Sequence, residues 1–207
     1  MSRPASLIGV TLLALLASAC PAAAALDSPG WTVTVYYTAV ESLHHEPPTP
    51  VRGCPNLSCD NGNDDLGSYP ADFVQAVVDE GAGRTTAGQY LNWSDDTGFW
   101  LDTAPRDANG RPLAPFRSAA ADGLADGTWV TLVDCGLQDD GTEVPAEVCQ
   151  QLRAPTWQIR DAFTPGLGGD KHIDLYLGEE TGPDFIDSPL YTTLVGAVVR
   201  VPAPGPS

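Results

Sequence analysis

Two aspartates stand where a polar side chain needs a reason. Asp174 interrupts the apolar run Ile173-Asp174-Leu175-Tyr176-Leu177, and Asp161 follows Arg160 just before a glycine-rich turn, AFTPGLGGDKH. A carboxylate inside such a run is costly to bury without a partner. Asp174 therefore either alternates outward on a half-buried strand or serves chemistry. The chemistry open to it is proton transfer, because burial or a neighbouring carboxylate raises a carboxyl pKa until the group holds its proton near neutrality.

Other reactive groupings are weaker. No Ser/His/Asp or Cys/His arrangement can be argued from the linear order, and neither a glycine-rich phosphate loop nor an HExxH motif is present. His44 and His45, with Glu41 or His172, contain metal-ligating types, but solvated loop histidines are the commoner outcome. Asp60-Asn61-Gly62-Asn63-Asp64-Asp65 offers oxygens for calcium yet lacks the spaced carboxylates and closing Glu of an EF-hand loop, so an Asx-rich turn is preferred. No metal or cofactor is expected. Residues 90–106 (YLNWSDDTGFWLDTAPR) set Trp93, Phe99 and Trp100 among aspartates and an arginine. Such aromatics either fill a core or stack on sugar rings while carboxylates bind hydroxyls.

Composition narrows the setting. The chain has 10 Lys and Arg against 27 Asp and Glu, a formal net charge of −17, which repels nucleic acid and anionic lipid. Arg3, the apolar run Leu7 to Ala17 and the alanines 22–25 have the layout of a secretory signal, with cleavage expected after Ala25. The run is shorter than the roughly 20 residues of a membrane span. An alternative makes Cys20 a lipidated first residue, since Ala17-Ser18-Ala19-Cys20 resembles a bacterial lipobox. Cleavage leaves Cys54, Cys59, Cys135 and Cys149, an even number that in an exported chain argues for two local disulfides, Cys54 with Cys59 and Cys135 with Cys149. A four-thiolate zinc site would want closer pairs.

The elements that must position these groups are mainly strands. Trp31 to Ala39 (WTVTVYYTA) alternates β-branched and aromatic residues and opens a single domain, residues 26–207. Residues 42–68 read as a long loop tied by the first disulfide. A helix follows Pro70, with Phe73, Val74, Val77 and Val78 on one face and Gly81 at its end. Further strands are expected at 90–93, 98–101, 129–133, 157–160, 172–177 and 194–201, with a short helix around 144–152 and a frayed PAPGPS tail.

The segment 160–178 (RDAFTPGLGGDKHIDLYLG) resembles the signature of the 3D domain, a family named for three aspartates, in which an Asp-Thr-Gly-Gly turn leads to a strand reading Ile-Asp-Ile/Leu-Tyr followed by Gly. Ser118-Ala-Ala-Ala-Asp122 with Gly127-Thr128-Trp129-Val130 is similar to the family's first aspartate and its Gly-Thr-x-Val strand, Thr34-Val-Tyr-Tyr-Thr38 to its opening strand, and 194–201 to its closing strand. Departures are also visible: Asp161 and Asp174 lie thirteen positions apart, about two more than usual, and Ala162-Phe163 replaces Thr-Gly.

The resemblance implies a six-stranded double-psi β-barrel, the fold of the catalytic domain of membrane-bound lytic transglycosylase A, related to barwin-like and expansin-like domains. Here it would carry a disulfide-tied insertion at about 42–115 and one or two short helices. It further implies a glycan site, with Asp174 as the acid, Asp161 orienting or tuning it, and Asp122 and Thr38 close to them; Tyr37, Tyr176, Trp93 and Trp100 are the further candidates for binding substrate. The expected partner is a cell-wall glycan strand and the expected state a secreted bacterial monomer. Three functions stay open: transglycosylase-like cleavage, a non-catalytic polysaccharide-binding or inhibitor module, and an inverting β-glucan hydrolase using two aspartates.

Overall fold

The structure, a computed structural model, describes residues 25–201. All but the last residue of the expected signal, Cys20 and the PAPGPS tail lie outside the described residues. In chain order the strands are β1 (Leu26–Val40), β2 (Pro48–Gly53), β3 (Asp64–Pro70), β4 (Ala82–Arg84), β5 (Tyr90–Ser94), β6 (Gly98–Asp102), β7 (Ser118–Ala120), β8 (Trp129–Asp134), β9 (Leu137–Gln138), β10 (Trp157–Asp161), β11 (His172–Glu179) and β12 (Leu194–Val201). The helices are α1 (Ala71–Glu80) and α2 (Ala146–Arg153).

Six strands close into a barrel. β1 pairs with β11 in parallel, β11 with β7 antiparallel, β7 with β10 in parallel, and β10, β8, β12 and β1 follow antiparallel to complete the ring. Its interior takes the alternating residues Trp31, Val33 and Val35 of β1 with Ile173 and Leu175 of β11, Ile159 of β10 and Val199 of β12. Closure leaves this part of the sheet no free edge.

β1 is long enough to do two things. Its first half belongs to the barrel, and its last residues, Ala39 and Val40, pair with β4, which starts the antiparallel extension β4-β5-β6. From Tyr36 onward both faces of β1 are buried. Helix α1 packs there through Phe73 and Val77, over Gly83, where any Cβ would meet both side chains at 2.5 Å. Gly81, at φ 86°, ends the helix in the left-handed conformation that glycine adopts without a Cβ clash.

Both disulfides form as expected, Cys54–Cys59 and Cys135–Cys149. The second ties the end of β8 to α2, and the Trp157 indole N–H donates to the Leu152 carbonyl at 3.0 Å, fixing the same helix to β10.

One expectation is corrected. Residues 42–68 are not simply a loop, because β2 and β3 form a two-stranded antiparallel ribbon within them. Pro48, Pro50 and Pro70 hid it; a two-stranded ribbon is all edge, so prolines without an N–H are tolerated in it. The strands β4, β7 and β9, of two or three residues, were too short to show periodicity.

Candidate active-site groove

Register brings the two aspartates of the glycine-rich segment to one end of the barrel. Asp174 on β11 lies opposite Ala120 of the central strand β7, and Asp161 on β10 lies opposite the same Ala120 from the other side. Two strand spacings, roughly 10 Å of backbone, therefore separate them. On its far side Asp174 faces Thr34 of β1, so the row runs Thr34, Asp174, Ala120, Asp161. The small Ala120 leaves the floor between the carboxyls low.

The two carboxyls live differently. Asp174 Oδ1 is covered and has no hydrogen-bond partner. Burial, then the charge of Asp161, pushes the Asp174 pKa up to about 7, against the Thr34 hydroxyl and the Leu175 amide, which favour the charged form. Asp161 is also raised by burial, but its oxygens are occupied: the Ala108 N–H donates to Oδ1 at 2.7 Å, the Ala162 N–H to the same oxygen at 3.0 Å, and the Tyr36 hydroxyl to Oδ2 at 3.0 Å. Tyr36 is buried, and burial with the Asp161 and Asp174 charges lifts its pKa far above the ordinary phenol value, so it remains a donor.

His172 braces the rim. The Leu167 carbonyl can only accept, so Nδ1–H donates to it at 3.1 Å, and Nε2 lies 3.0 Å from the Thr34 hydroxyl. Phe163 stacks on the ring at 4.4 Å between centroids.

A groove of about 610 Å³ passes over this row, lined also by Trp93, Trp100 and the β5–β6 turn and by Phe163 and Leu167 of the segment after β10. The segment between β4 and β7 supplies both tryptophans and also reaches the acid pair through Ala108. Asp107 locks that reach. It is buried, pairs with Arg111 at 2.8 Å and Arg160 at 3.5 Å, and accepts the Asn109 and Arg111 amides. The end of α1 also lines the groove through Glu80, whose Oε1 accepts from the Tyr191 hydroxyl at 2.9 Å and whose Oε2 accepts from the Tyr37 amide at 3.1 Å.

Of the residues singled out in the sequence, Asp174, Asp161, Trp93 and Trp100 line the groove. Asp122 does not: it is exposed, packs against Gly168 and accepts the Phe163 amide at 3.4 Å, so it braces the 162–170 loop. Thr38 is wholly buried and bonded to the Tyr176 hydroxyl at 2.6 Å, while Tyr37 packs on Phe185 and Tyr191. His44 sits between Asp72 and Glu180, at 3.3 and 2.8 Å, apart from His172 on the barrel rim. Sequence reasoning missed Tyr36, Glu80, Tyr191 and the Ala108 amide. Only Tyr36 carried a signal, being an aromatic at the outward-facing phase of β1.

No protein-family model matches the sequence, and no curated protein does. Solved structures do match in fold. Over 88% of this chain and 76% of the other, MltA of Escherichia coli with bound chitohexaose is similar at a TM-score of 0.56 and 13% identity. A membrane-bound lytic murein transglycosylase of Agrobacterium tumefaciens is similar at 0.52 and 12% identity, over 86% and 76%. The closed six-stranded barrel is thus the fold of the MltA lytic transglycosylases.

Proposed function

We propose that this protein cleaves peptidoglycan glycan strands by lytic transglycosylation, with Asp174 as acid and then base. The observation that carries the reading is a covered carboxyl, one oxygen without a partner, lining a sugar-sized groove on a barrel shared with such enzymes. Asp174 gives its proton to the glycosidic oxygen as the bond to the anomeric carbon breaks. The departing chain leaves with that proton as a free hydroxyl. The C6 hydroxyl of the same muramic residue then attacks its own anomeric carbon and passes its proton to the Asp174 carboxylate. This closes a 1,6-anhydro ring and resets the acid.

Asp161 does not fit the part of a base that activates water, because three donors occupy it. It fits an electrostatic part: its charge keeps Asp174 protonated and faces the positive charge growing at the anomeric carbon. Trp93 is the stacking surface for a neighbouring sugar, and the buried Trp100 supports it from within. Two disulfides in a chain with a signal-like leader support an exported protein, where thiols oxidise and the cell wall is at hand.

Digestion of purified sacculi with residues 26–207 tests this. Mass spectrometry is expected to show 1,6-anhydromuramyl fragments, each lighter by one water than its hydrolytic counterpart. Fragments with free reducing ends only would assign hydrolysis instead, and unchanged sacculi would leave the groove without this activity.

A further inference from the structure

We infer that Glu80, held by Tyr191 and the Tyr37 amide, is the groove's recognition point for the 2-acetamido group of a hexosamine, its carboxyl O–H donating to the acetamido carbonyl. The inference rests on the glycan reading above and adds the feature of the sugar that is read.

Glu80 is the last residue of α1, in the insertion, and it lines the groove into which Asp174 also opens. Neither hydrogen-bond partner is a cation: one is a phenol from the segment before β12, the other a backbone amide of β1. Both partners donate, so each carboxyl oxygen already accepts from the protein. Spare lone pairs remain on both oxygens, and a protonated Glu80 adds the one thing they lack, an O–H donor. The surroundings keep that proton in place. Burial first, then the charges of Asp174 on β11 and of Asp79 beside it on α1, outweigh the Tyr191 and Tyr37 bonds and push the Glu80 pKa up to about 8.

The neighbourhood suits a sugar ring. The Trp93 amide donates to the Gly81 carbonyl at 2.8 Å, which sets this half-buried residue beside the end of α1, and both Trp93 and Glu80 line the groove. An aromatic face next to one directional donor is how a ring is placed and a substituent read. At C2 of a β-1,4-linked sugar the alternatives are an acetamido carbonyl, a strong neutral acceptor, and a hydroxyl, which does not reach as far.

Calorimetry with chitohexaose and cellohexaose tests this in an Asp174→Asn background, so that bound sugar stays intact. At pH 6 the parent is expected to favour chitohexaose by about tenfold or more, the value of one good hydrogen bond to a buried polar group. Glu80→Ala removes that preference by weakening chitohexaose far more than cellohexaose. Glu80→Gln, which keeps an N–H donor, retains it. The background removes the Asp174 charge, but burial and Asp79 still favour the protonated Glu80, so the preference falls as pH rises from 6 to 9, as ionised Glu80 cannot donate, whereas that of Glu80→Gln stays level. Tyr191→Phe keeps the packing on Tyr37 and Phe185 and serves where Glu80→Ala does not fold; it is expected to weaken the preference. A preference unchanged in Glu80→Ala or Tyr191→Phe, or absent from the parent, overturns the inference while leaving the glycan reading intact. Failure of the parent to bind either hexamer overturns both.

Discussion

An Asp174→Asn chain is expected to cleave glycan strands about a thousandfold more slowly than the parent, within the range that a positioned general acid contributes. Asparagine keeps the shape and removes the proton that the leaving oxygen needs. The same change is expected to raise stability above neutral pH. The folded pKa, about 7, lies above the value of 3.8 for a free aspartate, so between these pH values the folded state holds a proton that the unfolded chain has lost. Stability therefore falls as pH rises from 4 towards 7 and stays reduced above it. Asn at 174 lifts that loss, by on the order of 4 kcal/mol at pH 8 and little at pH 4. Thermal unfolding of both chains at the two pH values reads the difference. An inactive variant that is also less stable at pH 8 would mean that Asp174 is an ordinary, charged structural residue.

The second large effect is expected at Asp107. Its carboxylate has no exposed surface and joins Arg111 and Arg160 to two amides of its own loop. Replacing it with Ala takes the carboxylate from Arg160 and the acceptor from the Asn109 and Arg111 amides, while Arg111 keeps its pair with Asp126. Arg111 is a third exposed, so water recovers part of the loss, and about 2–3 kcal/mol of destabilisation is expected. The functional consequence follows from the neighbour: a loosened loop withdraws the Ala108 N–H from Asp161 and with it one of the bonds that fix this carboxylate beside Asp174. Activity is expected to fall roughly tenfold at a temperature where the variant is fully folded, since small displacements at a reacting centre are costly. Denaturant titration and turnover measured together separate the two losses. Lost stability with full turnover would show that the clamp only holds the loop.

The barrel was legible in the sequence because its long strands alternate. Trp31 to Ala39 and the apolar run around Asp174 carry the period of two, and both disulfides follow from short cysteine spacings. Helix α1 was legible too, from Phe73, Val77 and the terminating Gly81. What escaped depends on tertiary placement. Alternation leaves Tyr36 facing outward, and only the chain between β1 and β7 folding over β1 turns that face into the floor of a groove. Glu80, at the polar end of an amphipathic helix, reads as a solvated charge until Tyr37 and Tyr191 close on it. Asp122 shows the converse: its place in a familiar pattern singled it out, yet longer spacing between Asp161 and Asp174 gives it a loop to brace outside the groove lining.

The central claim is that the fold keeps a proton on Asp174 near neutrality. Carbon-13 NMR of the aspartate side-chain carboxyls, with the Asp174 signal assigned by its absence from Asp174→Asn, follows that proton directly. The account predicts a midpoint near pH 7 for this signal; a midpoint near 4 would contradict it, because Asp174 would then have no proton to give at the pH of the cell wall.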